Sequence, residues 1–163
     1  PIIFMVYNAI AQSAQPIISY NFGQQNPVRV ARTIRLALKT ALGCGIFFFA
    51  ATLVFNHQIV GLFIDKSYQA YDIAVNGIPY FAVGYLFFAL NIVGIGYYQS
   101  IERARRATVI TLFRGTLFML AGFLLLPPVL GVRGIWLAVP LAELLTLLLI
   151  IGIYLKDSFT VRR

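Results

Sequence analysis

Two ionisable residues lie deep inside apolar runs of this sequence and are the first candidates for chemistry. Arg114 lies eight residues after Arg106, which places it about 12 Å along a helix, and Glu143 lies thirteen residues before Lys156, or about 20 Å. The remaining offset of roughly 8 Å is within reach of two extended side chains on neighbouring antiparallel helices. An unpaired charge at the centre of a bilayer costs about 2.5–3.5 kcal/mol on insertion scales. We therefore predict that Arg114 and Glu143 form an intramembrane charge pair.

A polar stripe runs along the first apolar segment. Asn8, Gln12, Gln15 and Ser19 recur at intervals of four, three and four residues, which places all four on one face of a helix. Such amides can hydrogen-bond a neighbouring helix at modest gain, or they can form the wall of a water-filled cavity. The cavity is the preferred interpretation for Gln12 and Gln15, because four polar groups exceed what one helix contact needs. For Asn8 and Ser19 the two interpretations stay open.

Pro16 lies within this stripe. Because proline has no backbone N–H, the carbonyl of Gln12 loses its helical partner, and we expect the helix to kink there. Irregular helices at membrane depth are tolerated where they line a cavity. Pro16 therefore joins Asn8, Gln12 and Gln15 as a predicted substrate-path residue.

A second stripe on the third apolar segment combines aromatic rings with one amide. Its members are Tyr80, Gly84, Phe87 or Phe88, Asn91, Ile95 and Tyr98. Ring faces with a single polar handle suit an apolar cation, so Asn91 and Tyr98 are also predicted to line the substrate path. Ordinary helix packing, with glycines at close contacts, is the open alternative.

Motifs for enzyme chemistry are missing from the sequence. There is no His-Glu zinc motif, no activated serine and no glycine-rich phosphate loop. The one cysteine, Cys44, lies in an apolar run, so a disulfide framework or a cysteine metal cluster cannot form within the chain. We predict that the protein is not an enzyme and holds no metal or organic cofactor.

The composition is that of a membrane protein. Of the 163 residues, 60% are hydrophobic and 11% are charged, and the mean hydropathy is +0.85. A soluble domain carries about 25% charged residues. The net charge of +8 does not indicate nucleic-acid binding, because the basic residues form short clusters between apolar runs. The predicted fold is an all-α, polytopic transmembrane bundle.

Five apolar runs are long enough to cross a bilayer, which takes roughly 20 residues. They are Pro1 to Phe22, about Val30 to Phe55, about Ile73 to Ser100, Ala107 to Leu126, and Gly134 to Leu155. Pro127 and Pro128 are predicted to end the fourth run. The residues from Lys156 to Arg163 are predicted to form a polar tail.

Basic residues are concentrated after the first, third and fifth runs. They are Arg29, Arg32, Arg35, Lys39, Arg103, Arg105, Arg106, Lys156, Arg162 and Arg163. The opposite connections hold only Lys66 and Arg133. Because basic loops stay in the cytoplasm, we predict a multi-pass protein of the plasma or inner cell membrane with these loops cytoplasmic.

These motifs together resemble the multidrug and toxic compound extrusion (MATE) family. The family has a stretch of the form Gln-x-x-Gln-Pro-Ile-x-x-x-x-x-Gly, matched here by Gln12, Gln15, Pro16, Ile17 and Gly23, with Ile18, Ser19, Tyr20 and Asn21 between them. The resemblance continues through Gly96–Ser100, Leu112–Gly115 and Gly131–Trp136, and so covers most of the chain.

The resemblance implies a transporter of two lobes with six helices each. Residues 1–163 would be the C-terminal lobe, with a truncated first helix and without the N-terminal lobe. The implied activity is secondary antiport by alternating access, in which organic cations or drugs leave while Na⁺ or H⁺ enters. The implied partners are the drug, the lipid bilayer and the N-terminal lobe.

One departure from the family leaves the coupling ion open. Some members carry an acidic residue in the third helix, but this sequence has none between Ile73 and Ser100. Coupling would then use Glu143 or an acidic residue in the other lobe. We prefer a structural role for Glu143, because Arg114 would neutralise its carboxylate.

Two alternative functions remain open. A lipid-linked oligosaccharide flippase of the same superfamily is expected to have more cationic residues facing its cavity than the single buried Arg114. A non-transporting membrane subunit would have no need of a continuous polar stripe.

Overall fold

The apolar runs of the sequence form long helices joined by short connections. A computed structural model describes residues 2–160, and within that range there is no β-strand. The helices are α1 (Ile2–Gly23), α2 (Pro27–Val54), α3 (Asn56–Gly61), α4 (Gln69–Ala82), α5 (Gly84–Ser100), α6 (Ala104–Leu112), a π-helical segment (Phe113–Phe118), α7 (Met119–Leu130) and α8 (Val132–Thr160).

The helices form a multi-pass membrane bundle. By length and composition α1, α2, α8 and the continuous stretch Ala104–Leu130 can each cross a bilayer, and α4 with α5 makes a bent fifth span. Large apolar side chains cover the outside: Phe47 is 66% exposed and Leu125 is 67% exposed. Such surfaces suit lipid contact, and the prediction of an all-α bundle with about five spans is confirmed.

Local signals set the helix starts and the turns. Asn26 begins α2: its Oδ1 accepts a hydrogen bond from the Arg29 amide at 3.1 Å, and Pro27 occupies the first turn, where no N–H is needed. Between α3 and α4, Asp65 accepts hydrogen bonds from the amide and the hydroxyl of Ser67, both at 2.8 Å. These two bonds hold the pKa of Asp65 below its usual value, and the bond from the Ser67 amide has the larger effect.

The third predicted helix, Ile73 to Ser100, is wrong as a single straight element. Helices α4 and α5 instead meet at an angle of 44° around Val83. Pro79 lies one turn earlier and removes a backbone hydrogen bond from α4, which weakens the helix next to the bend. Gly84 begins α5 close to α8, because a Cβ added there would lie 3.3 Å from the Cα of Pro140.

One expectation about prolines is also corrected. Pro127 and Pro128 do not end the fourth span, since α7 continues to Leu130. A proline carbonyl still accepts a helical bond, here from the Gly131 amide to Pro127 at 2.8 Å, and the helix ends where Gly131 takes a φ of +59°. Helix α1 runs through Pro16 without interruption, and the kink predicted at this residue stays a prediction.

The polar tail predicted from Lys156 onward is helical as far as Thr160, and residues 161–163 lie outside the described range. The side chains of Arg103 and Arg106 both contact the Asp157 carboxylate. This contact ties the end of α8 to the turn between α5 and α6, because hydrogen bonds between charged groups are stronger than those between neutral groups.

Helix α5 is the centre of the bundle. It packs against α1, α2 and α8 and also contacts α4 and α6. The core around it is apolar, with Tyr7, Ile18, Ala41, Ala89, Val93 and Ile110 almost wholly buried. A polar side chain in the middle of α5 must therefore find its partner on a neighbouring helix.

Candidate functional site

The structure brings Arg114 and Glu143 into direct contact. Arg114 Nη2 lies 2.8 Å from Glu143 Oε1, and Arg114 Nε donates to Oε1 at 2.9 Å and to Oε2 at 3.0 Å. The Glu143 side chain is 5% exposed and that of Arg114 is 20% exposed. This is a two-point guanidinium–carboxylate contact, the geometry that makes such pairs strong.

Asn91 is the third member of the site. Its Nδ2 donates to Glu143 Oε2 and to the Glu143 backbone carbonyl, each at 2.8 Å. Asn91 is 0% exposed, and its Oδ1 has no hydrogen-bond partner among residues 2–160. Asn91 therefore lies behind the carboxylate and fixes its orientation, and its place on a substrate path stays a prediction.

Three elements hold these groups together. Asn91 belongs to the central helix α5, and Glu143 lies in the middle of α8, which packs against α5. Arg114 lies in the π-helical segment Phe113–Phe118, which also packs against α8. Short π-helical segments within α-helices occur frequently at functional sites, and this one carries the only arginine that the described structure places beside Glu143.

An aromatic ring completes the surroundings of the guanidinium. Arg114 Cζ lies 4.6 Å from the centroid of the Phe88 ring, which is within cation–π distance. Phe88 is itself held in place, since Phe4 stacks on it at 5.8 Å and Tyr7 meets it edge-on at 5.4 Å. The site thus presents a carboxylate and a fixed ring face to one cation.

This group borders a cavity of about 740 Å³. Its other walls come from α1, from α3 and its following turn, from the bend between α4 and α5, and from α7 and α8. The residues along it are Ile2, Ile3, Phe4, Ile59, Phe63, Phe81, Gly84, Tyr85, Phe88, Arg114, Met119, Val139 and Glu143. A mostly apolar, aromatic pocket with few polar groups is the usual form of a small-molecule site.

The polar stripe of α1 lies elsewhere. Gln15 Nε2 donates to Gln99 Oε1 at 3.1 Å, and Ser19 Oγ donates to the Ser100 carbonyl at 3.0 Å, so both bind the end of α5. Asn8 Nδ2 donates to the Phe4 carbonyl at 3.4 Å. Gln12 and Pro16 are exposed and do not line the cavity beside Glu143.

Tyr98 occupies a third location. It is 1% exposed and lies beside a separate cavity of about 440 Å³ between α2, α5 and α8. Its hydroxyl has no hydrogen-bond partner within the described residues. The predicted substrate-path residues are therefore not one continuous lining: Asn91 joins the charge pair, the α1 residues lie on another face, and Tyr98 lies in the core.

Sequence reasoning missed several members of the site. Phe4 stacks on Phe88, but the polar stripe predicted from the sequence starts one turn later, at Asn8. Phe4 lies four residues before Asn8, so the same helical spacing would have included it. Ile59, Phe63 and Val139 reach the cavity only through the packing of three separate helices, for which the sequence carries no local signal.

Among residues 2–160 no three His, Cys, Asp or Glu side chains lie together as a group that could hold a metal ion. The chemistry that the site offers is recognition of a cation by one carboxylate and aromatic rings.

Comparisons with known proteins agree with this architecture. The family model MatE matches residues 1–124. A solved inward-facing multidrug resistance MATE family transporter of the MOP superfamily is similar with a TM-score of 0.82 and 17% identity, over 90% of this chain and 35% of that one. An outward-facing structure of such a transporter gives 0.83 and 15%, over 94% and 35%.

A third solved structure, of a MATE in complex with MaL6, has a TM-score of 0.82 and 15% identity, over 99% of this chain and 38% of that one. The chain therefore spans little more than a third of the length of these transporters. No curated protein sequence matches it significantly. At these identities the structures establish the fold.

Proposed function

This chain belongs to the MatE family, and from that premise we propose that it is the C-terminal lobe of a secondary antiporter that exports organic cations. A second lobe of six helices would complete the transporter, and the central cavity between the lobes would open alternately to each side of the membrane. Sodium ions or protons entering the cell would drive export.

The observation that carries this proposal is the buried carboxylate of Glu143 beside an aromatic cavity. The carboxylate places a negative charge at the cavity wall, and the rings of Phe4, Phe81 and Phe88 add cation–π and apolar contact. The cavity volume of about 740 Å³ lies in the usual range for drug-sized ligands, about 300–1,000 Å³. An anionic lipid pyrophosphate would need unpaired cations, and Arg114 already pairs with Glu143.

We place the other lobe against the exposed face of α1. Gln12 and Pro16 are exposed there, and the neighbouring Ile17 and Tyr20 are 51% and 68% exposed. Under this arrangement Gln12 faces the path between the lobes.

The basic residues at the start of α2 and in the α5–α6 turn would lie in the cytoplasm. Labelling single cysteines at Gln25 and Gln69 with an impermeant reagent, in a chain with Cys44 replaced, tests this orientation. Rapid labelling at Gln25 together with protection at Gln69 in intact cells would contradict it.

Dye efflux tests the proposed function. Cells or proteoliposomes carrying the full-length protein should expel a cationic dye such as ethidium when a sodium or proton gradient is applied, and collapse of the gradient should stop export.

Gln12→Leu, which keeps approximate volume and removes the amide, should change the relative export of different cations. Ser13→Ala is the matched control for loss of a polar group on α1, because the Ser13 hydroxyl bonds its own helix at the Ala9 carbonyl. Absence of gradient-driven efflux for every cation tested would reject the proposal.

A further inference from the structure

We propose that the Arg114 guanidinium is a displaceable occupant of a cation site formed by the Glu143 carboxylate and the Phe88 ring, and that an organic cation binds by replacing it. This inference rests on the proposed function, because it assigns the substrate class to this site. It adds that the protein holds its own competitor for the substrate on the π-helical segment.

The position of the guanidinium carries the first step. A carboxylate at 2.8–3.0 Å and an aromatic ring at 4.6 Å are the two contacts by which a binding site would hold an organic cation. Arg114 makes both at once and lies at the edge of the cavity that a ligand would enter. The side chain thus occupies the place and the contacts of a bound cation.

The hydrogen bonds of Glu143 carry the second step. An ionised carboxylate offers about four acceptor sites. Oε1 accepts from Arg114 Nε and Nη2, and Oε2 accepts from Arg114 Nε and Asn91 Nδ2. The single Nε hydrogen is shared between the two oxygens, so three N–H groups bond the carboxylate. A second cation would find the carboxylate neutralised and bonded at both oxygens, so it gains the charge only when Arg114 leaves.

Asn91 carries the third step. Its Nδ2 bonds both the side chain and the backbone carbonyl of Glu143, at 2.8 Å each, independently of Arg114. The carboxylate therefore stays oriented when the arginine moves away. The site is built to persist while its occupant changes.

The surroundings of Arg114 allow it to move. Its side chain is 20% exposed, compared with 5% for Glu143, and Gly115 beside it has no atom within 4 Å of an added Cβ. The adjacent cavity offers room for the displaced side chain. Exchange therefore needs a change in one side chain and no rearrangement of the core.

Equilibrium binding of radiolabelled tetraphenylphosphonium to the full-length protein in lipid nanodiscs tests the inference. Arg114→Gln removes the competitor and should tighten binding by roughly tenfold or more, since close charge pairs couple by 1.5 kcal/mol or more. The double variant Arg114→Gln/Glu143→Gln has no unpaired charge and should lose that gain. Methylguanidinium, which has the head group of the removed side chain, should compete for the site in Arg114→Gln.

Arg133→Gln is the control for charge alone, because Arg133 is an exposed cation away from this cavity. An equal gain in Arg133→Gln would overturn the inference, as would unchanged or weaker binding by a folded Arg114→Gln protein. Equal binding by Arg114→Gln and the double variant would also overturn it. If Arg114→Gln binds more tightly and no variant exports any cation, the site stands and the proposed transport function fails.

Discussion

At the scale of single residues, Glu143 lies where a charged side chain needs partners. It is 5% exposed, and Arg114 and Asn91 fill its hydrogen-bonding capacity. Removing one member of a buried pair leaves the other charge uncompensated and costs about 3–5 kcal/mol, whereas replacing both members can be neutral. The comparison of single and double replacements therefore separates a structural pair from a coupling carboxylate.

We expect Glu143→Gln to lower the stability of the protein by about 3 kcal/mol, because it leaves Arg114 without its counter-ion. Adding Arg114→Gln to the same chain should restore most of that loss. Thermal unfolding in detergent measures both. A Glu143→Gln protein of unchanged melting temperature, which binds drug but no longer responds to an ion gradient, would instead assign Glu143 to ion coupling.

At the scale of the elements, small residues allow the helices to approach closely. Gly77 on α4 faces the Trp136 indole on α8, and an added Cβ would overlap the ring. Gly122 on α7 lies similarly against α8, where an added Cβ would be 2.8 Å from the carbonyl oxygen of Ala138. Close packing of this kind supports helix association in membranes, where water exclusion between helices contributes little.

Gly77→Ala should therefore destabilise the bundle by about 1–3 kcal/mol, the usual cost of overpacking a fitted interface. Gly43→Ala is the matched control, because Gly43 lies inside α2 with no atom within 4 Å of an added Cβ. That change should stabilise the helix by about 0.5–1 kcal/mol. Melting temperatures of the two variants should move in opposite directions, and a loss of equal size in both would refute the packing argument.

The elements also show what the sequence could predict. The lengths of the apolar runs predict the spans, and the helical offsets of Arg114 and Glu143 predict their contact. Both predictions succeed because these signals are local or depend on one short turn. The bend at Val83 was missed, since it also depends on the fit of Gly84 against Pro140 in a distant helix. The sequence predicts the face of α5 on which Tyr98 lies, but which neighbour covers that face is decided by tertiary packing.

At the scale of the whole molecule, one comparison bears on how the lobe moves. The chain is as similar to an inward-facing transporter as to an outward-facing one, with TM-scores of 0.82 and 0.83. From these similar scores we predict that the lobe keeps one internal arrangement in both conformations. Alternating access would then be a rotation of intact lobes about their interface, one of the common forms of conformational change.

A cross-link inside the lobe tests this idea. A Cβ added at Gly96 of α5 would lie 3.3 Å from the Ala11 Cβ of α1, close to the usual disulfide range of about 3.5–4.5 Å. In a chain with Cys44→Ala, the pair Ala11→Cys and Gly96→Cys should form a disulfide on oxidation and fix α1 to α5. If the lobe moves as one body, gradient-driven dye efflux should continue at a similar rate after oxidation. The reduced double variant and the two single variants are the controls. Loss of efflux on oxidation, restored by a reducing agent, would show instead that α1 slides against α5 during transport.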